Sequence, residues 1–94
     1  MTETFHETAT VPAGQKVYLV GSPAALASWN TKDAVPLTSS DGTHWSATAG
    51  LPANASFEDK YILKDAQDNV TWEPGANRTA SSGTSGTTLN DTWK

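Results

Sequence analysis

Turn signals interrupt this chain roughly every ten residues, a spacing that leaves room only for short strands. Pro12-Ala13-Gly14, Ser39-Ser40-Asp41-Gly42, Leu51-Pro52-Ala53-Asn54 and Ala66-Gln67-Asp68-Asn69 all carry residues that set turn dihedrals or bond their own backbone. Between them, no window holds apolar residues at helical spacing. KVYLVG, residues 16–21, is apolar on both parities, the pattern of a strand covered on both faces. HWSATAG, residues 44–50, alternates with Trp45, Ala47 and Ala49 on one side. In residues 56–64, Phe57, Tyr61 and Leu63 share one face while Glu58, Lys60 and Ile62 share the other. ETFHETATV, residues 3–11, alternates more weakly, because Glu7 falls on the apolar side with Phe5 and Ala9. NVTWE, RTAS and TTLNDTWK supply further strands, with Gly83 and Gly86 in a connection before the last. Ser22-Pro23 opens one short helical turn, AALASW. Seven or eight short strands predict an all-β fold, an antiparallel sandwich or small barrel, built as one domain over residues 1–94.

Several function classes fall away on composition. The net charge of −4 supplies no basic face for nucleic acid or an anionic membrane. With no cysteine, neither a disulfide framework nor a thiolate metal site can form. No apolar run approaches the ~18 residues of a membrane helix. His6 and His44 lie in separate strands without a carboxylate or cysteine at ligand spacing, so they read as exposed strand residues, and no metal or cofactor is expected. The acids, among them Asp33, Asp41, Glu58, Asp59, Asp65, Asp68, Glu73 and Asp91, are scattered. Two carboxylates suffice for a glycosidase, but they must flank a substrate in a cleft, which so short a chain rarely builds. The reading is therefore a non-catalytic module.

The aromatic residues carry the positive signal. Of the four tryptophans, Trp45 sits inward in a mid-chain strand, and Trp93 shares a parity with Leu89. Both read as core, where an indole brings much apolar area to a small domain. Trp29 and Trp72 differ. Each is flanked by polar residues and a turn, in ASWNTKD and VTWEPGAN, and both are expected to be exposed. An exposed indole is a flat apolar plate on which the CH face of a sugar ring can stack. Lys60, Glu73 and Asn77 lie near Trp72 along the hairpin and suit a rim of hydroxyls. A neutral saccharide also fits a mildly acidic surface.

Three segments together resemble a known family. FEDKYILKD, VTWEPGANRT and the closing LNDTWK are similar to the starch-binding domain of carbohydrate-binding module family 20, and KVYLVGS followed by LASWN resembles its strand–turn–tryptophan segment. The similarity runs from about Phe5 to Lys94, and the motifs are specific in combination. It implies an antiparallel, immunoglobulin-like β-sandwich that binds α-1,4-glucan, whether starch, maltooligosaccharide or cyclodextrin. By motif, the family's principal site maps to Trp29 and Trp72 for stacking, with Lys60, Glu73 and Asn77 as polar ligands. The resemblance further implies an extracellular, monomeric module covalently attached to a starch-degrading catalytic domain. The family's second site uses a tyrosine where Ala13 stands here, and an aromatic in a loop that here reads SSDGTH around Asp41, so one site is expected rather than two. The competing class is a protein-binding, adhesion-type sandwich, which would need an apolar patch; Trp29 with Trp72 would have to form it.

Overall fold

The computed structural model describes residues 2–12, 14–39, 41–51, 54–75, 77–81 and 88–93. Ala13, Pro52, Ala53 and the expected Gly83–Gly86 connection lie outside the described residues. Among the described residues there are eight strands: β1 (Thr2–Thr8), β2 (Lys16–Gly21), β3 (Val35–Pro36), β4 (His44–Gly50), β5 (Ser56–Lys64), β6 (Val70–Trp72), β7 (Arg78–Ser81) and β8 (Thr88–Thr92). They form two sheets. One has the order β4-β1-β8; the other runs β3-β2-β5-β6, with β7 also pairing to β5. All pairs are antiparallel except β1 with β8, which is parallel. Parallel neighbours need a long crossover, and here the rest of the chain is that crossover.

The core lies between the sheets. Phe5 and Trp45 from the first sheet meet Val17, Leu19, Phe57, Tyr61 and Leu63 from the second. Phe5 and Phe57 touch edge to face, with centroids 6.3 Å apart. Trp45 is buried and its indole Nε1 donates to the Ala9 carbonyl at 3.3 Å, so its polar tip is satisfied. Trp93 is half-buried and packs against the same cluster.

KVYLVG is covered on both faces, as its pattern requires. Val17 and Leu19 point inward, while Val20 joins Ile62 and Ala34 in a second, smaller cluster on the outer face. What covers that outer face is the segment after β2. Gly21 permits it: a Cβ there would meet the Glu58 carbonyl at 2.5 Å and Leu26 Cδ1 at 2.9 Å, so any side chain would push the segment off the sheet. Ala24–Trp29 then forms a kinked 3₁₀ stretch and Thr31–Asp33 a second 3₁₀ turn. Helical turns this short match the reading of AALASW.

Candidate functional site

Strand β5 decides which residues meet. Its register with β2 pairs Lys60 with Val20 and Ile62 with Tyr18; its register with β6 pairs Ile62 with Trp72. Alternation along each strand therefore sets Lys60, Ile62 and Trp72 on the outer face. Trp72 is 44% exposed, the one large hydrophobic residue so exposed among those described. Trp29 reaches the same place from the other side: it packs on the cluster of Val20, Ala34 and Ile62. Trp72 thus pairs with a member of the cluster on which Trp29 packs.

Trp29 is half-buried rather than fully exposed, and its backbone explains why. Ala27, Ser28 and Trp29 have φ of 69°, 48° and 66°, three successive non-glycine residues in the left-handed region. Each such residue costs on the order of 1 kcal/mol, so the turn exists only because its surroundings hold it. Asn30 does much of this: its backbone N–H bonds the Ala27 carbonyl, and its side chain accepts from the Lys32 N–H and donates to Asp33 Oδ2 at 3.2 Å. The consequence is an indole held in one orientation over the sheet.

Between β6 and β7 the chain leaves the edge of β5. Pairing covers residues 62–64 with β6 and 56–59 with β7, so Lys60 and Tyr61 face the interruption. Pro74 cannot donate to a ladder, and Gly75 adopts φ +91°, which turns the chain outward. Glu73 N–H still bonds the Tyr61 carbonyl at 3.1 Å, and Lys60 Nζ donates to the Gly75 carbonyl at 2.5 Å, latching the bulge. Asn77, exposed, follows the bulge and directly precedes Arg78, which pairs with Asp59. Trp29, Lys60 and Trp72 thus share the outer face, and Asn77 lies exposed just past the bulge.

Glu73 goes the other way. One residue after Trp72, it points between the sheets, with no exposed side-chain surface, and its carboxylate grips Arg78 with two bonds: Nε–Oε1 at 3.0 Å and Nη2–Oε2 at 2.6 Å. The Glu73 carboxylate therefore lies on the face of the strand opposite Trp72. Arg78 also donates to Asp91 Oδ1 at 3.3 Å and to the Thr92 carbonyl at 2.6 Å, and stacks 5.5 Å from the Tyr61 ring centroid. Tyr61 Oη donates to Asp91 Oδ2 at 2.7 Å. Glu7 and Asp59 complete a buried acidic cluster. Among the described residues, both carboxylate oxygens of Glu7 and Oδ1 of Asp59 have no hydrogen-bond partner. Burial, reinforced by the Glu73 charge, pushes Glu7 up to about 8; burial, then Asp91, pushes Asp59 up to about 7. Glu7, the residue that weakened the first strand's pattern, thus belongs to this cluster on the core side. Arg78 and its partners were not visible in sequence, because a bulge separates Glu73 from Arg78 and Asp91 comes from β8.

The loop before β4 holds no comparable plate. Asp41 Oδ1 accepts the N–H groups of Thr43 and His44, each at 2.8 Å, and Asp41 Oδ2 meets His44 Nδ1 at 2.8 Å. These bonds hold the Asp41 carboxyl well below its ordinary range. His44, whose sequence context shows no ligand-spaced carboxylate, here has this loop aspartate as its partner.

The family model described as starch binding domain matches residues 2–92. The chain belongs to the starch-binding domain family. It is a non-catalytic carbohydrate-binding module. Among its relatives, an alpha-amylase of Streptomyces violaceus is 49% identical over 97% of this chain, which spans 16% of that protein. Among solved structures, a glucoamylase of Hypocrea jecorina superposes with a TM-score of 0.93 at 33% identity, covering 99% of this chain and 17% of that one. The family 20 module of a maltotetraose-forming amylase from Pseudomonas saccharophila superposes at 0.81 with 25% identity, over 97% of this starch-binding domain and 99% of that chain. The sandwich read from the turns is thus the fold of this family.

Proposed function

We propose that this chain is one domain over residues 1–94 that binds α-1,4-glucan on the outer face of β5, β6 and the Ala24–Trp29 segment. Glucose rings stack on Trp72 and Trp29, while Lys60 and Asn77 bond the hydroxyl rim. The observation that carries this reading is two indoles on the outer face at Ile62: Trp72, 44% exposed, pairs with Ile62 across the strands, and Trp29 packs on the cluster that contains Ile62. Lys60 Nζ has three protons and the Gly75 carbonyl takes one, so donors remain for sugar. Glu73 serves the site by gripping Arg78, which fixes the bulge that carries Asn77. In its natural setting the module is monomeric and extracellular, and brings an attached starch-degrading domain to starch, maltodextrin or cyclodextrin. Retention on granular starch tests the reading. Release by β-cyclodextrin and indifference to salt are expected; failure to be retained, or release by salt alone, would overturn it.

A further inference from the structure

A groove of about 660 Å³ lies beyond Lys60, lined by Ser22, Ser56, Glu58, Thr79 and Ser81 together with the core-side pair Phe57 and Ala80. Its floor is set by register: Ser56 pairs with Ser81 and Glu58 with Thr79, on the parity that Lys60 continues toward Trp72. At the strand rise, Ser56 to Lys60 covers about 13 Å, so the groove prolongs the tryptophan site along the same strand. Ser22 walls one side. Its hydroxyl bonds the Glu58 backbone, accepting from N–H at 3.1 Å and donating to the carbonyl at 3.4 Å. The Glu58 side chain is exposed, and among the described residues its carboxylate makes no hydrogen bond or ion pair. Outward hydroxyls around one exposed carboxylate, with Phe57 reaching the groove only as a buried wall, are chemistry for sugar hydroxyls without stacking.

We propose that this groove is a continuation subsite, taking further glucosyl units of a linear α-glucan whose neighbouring units stack on Trp72 and Trp29. Glu58 accepts hydrogen bonds from sugar hydroxyls, and Ser56, Thr79 and Ser81 exchange them. The inference rests on the function proposed above. Hydrogen bonds that merely replace water give little net gain, so the groove would not hold free sugar. Once the stacking site holds one end, the next units arrive at high effective concentration, and small gains become visible. A closed ring such as β-cyclodextrin has no trailing end to lay along β5. The groove therefore discriminates by chain length and by open against closed ligands.

Calorimetry on the full chain with maltotriose, maltoheptaose and β-cyclodextrin tests it, using Glu58→Ala and Thr79→Val. The parent is expected to bind maltoheptaose more tightly than maltotriose, and each substitution to weaken maltoheptaose by about fivefold while leaving β-cyclodextrin unchanged. Amide shifts of the unsubstituted protein give a second readout: Glu58, Thr79 and Ser81 should move with maltoheptaose and stay still with β-cyclodextrin. If the parent binds β-cyclodextrin but the substitutions leave maltoheptaose untouched, or those amides do not respond, the subsite is wrong and the tryptophan site stands. If the parent binds neither ligand, the proposed function falls and takes this inference with it.

Discussion

Trp72 and Glu73 are neighbours in sequence and opposites in work. Trp72 lies on the outer face and 44% of it meets solvent; Glu73 lies between the sheets, sealed against Arg78. The same contrast runs along β5, where Lys60 faces out and Asp59 and Tyr61 face in. The module separates recognition from cohesion by strand parity. Outward residues can be exchanged without opening the core, whereas inward ones tie β5, Glu73, β7 and β8 together through a single guanidinium. Substitutions on the two faces should therefore sort into different measurements.

The largest effect is expected inside. Arg78→Ala leaves Glu73 and Asp91 facing one another without their shared cation. Removing one member of a buried pair costs about 3–5 kcal/mol, a large share of the stability of a domain this size. Denaturant unfolding should show a much lower midpoint, while starch binding by the folded fraction weakens less than in Trp72→Ala, through the loosened bulge that carries Asn77. An unchanged midpoint would mean that the inner face is not what holds the sheets.

Next comes pH. Glu7 and Asp59 hold protons in the folded state that the unfolded chain releases near pH 4. A carboxylate whose folded pKa is raised leaves the fold unpenalised below the unfolded value. Stability then declines as pH climbs toward the folded values of about 7 and 8. The thermal midpoint should fall by several degrees across that window, and Glu7→Gln, which cannot ionise, should flatten the fall. A midpoint that rises from acid to neutral pH would refute the assignment. Binding by the outer face should follow only the folded fraction.

Much of this arrangement was legible beforehand. Turn spacing and alternation located the strands, and the Pro74-Gly75 break marked Trp72 as hard to cover. Both the hairpin reading and the family motif set Glu73 beside Lys60 and Asn77 at the hydroxyl rim; the structure turns its carboxylate to the face opposite Trp72, onto Arg78. Other features were hidden for physical reasons. Trp29 is half-covered because three left-handed residues fold its turn onto the sheet, and no local propensity announces such a run. The parallel pairing of β1 with β8 joins the two ends of the chain, beyond the reach of any local pattern. The Arg78 clamp needs that pairing and was equally invisible.

On the outer face, Trp72→Ala should weaken starch and β-cyclodextrin binding by about 1–3 kcal/mol with little change in thermal midpoint. Trp29→Ala should lose similar affinity but also some stability, because Trp29 partly covers Val20, Ala34 and Ile62. Equal stability losses in the two variants would mean that the indoles are not divided between plate and cover as the structure divides them. Lys60→Ala should cost less, about 1 kcal/mol of binding, seen as a weaker isotherm with unaltered salt dependence.

The smallest effect sharpens the contrast between this face and the loop before β4. Stacking requires a flat apolar ring, and among the described residues of that loop only His44 offers any ring. Its imidazole is 73% exposed, yet it is small, hydrated and bonded to Asp41. The loop is stiffened by its own hydrogen bonds, but stiffness without a plate leaves only hydroxyl contacts, which exchange water for sugar at little net gain. His44→Ala should therefore leave β-cyclodextrin affinity unchanged, and titration of the unsubstituted protein should give about one ligand per chain. In Trp72→Ala no measurable heat should remain. A second tight site surviving the loss of both Trp29 and Trp72 would show that a face without an indole plate can carry recognition alone, and the division of labour by strand parity would have to be abandoned.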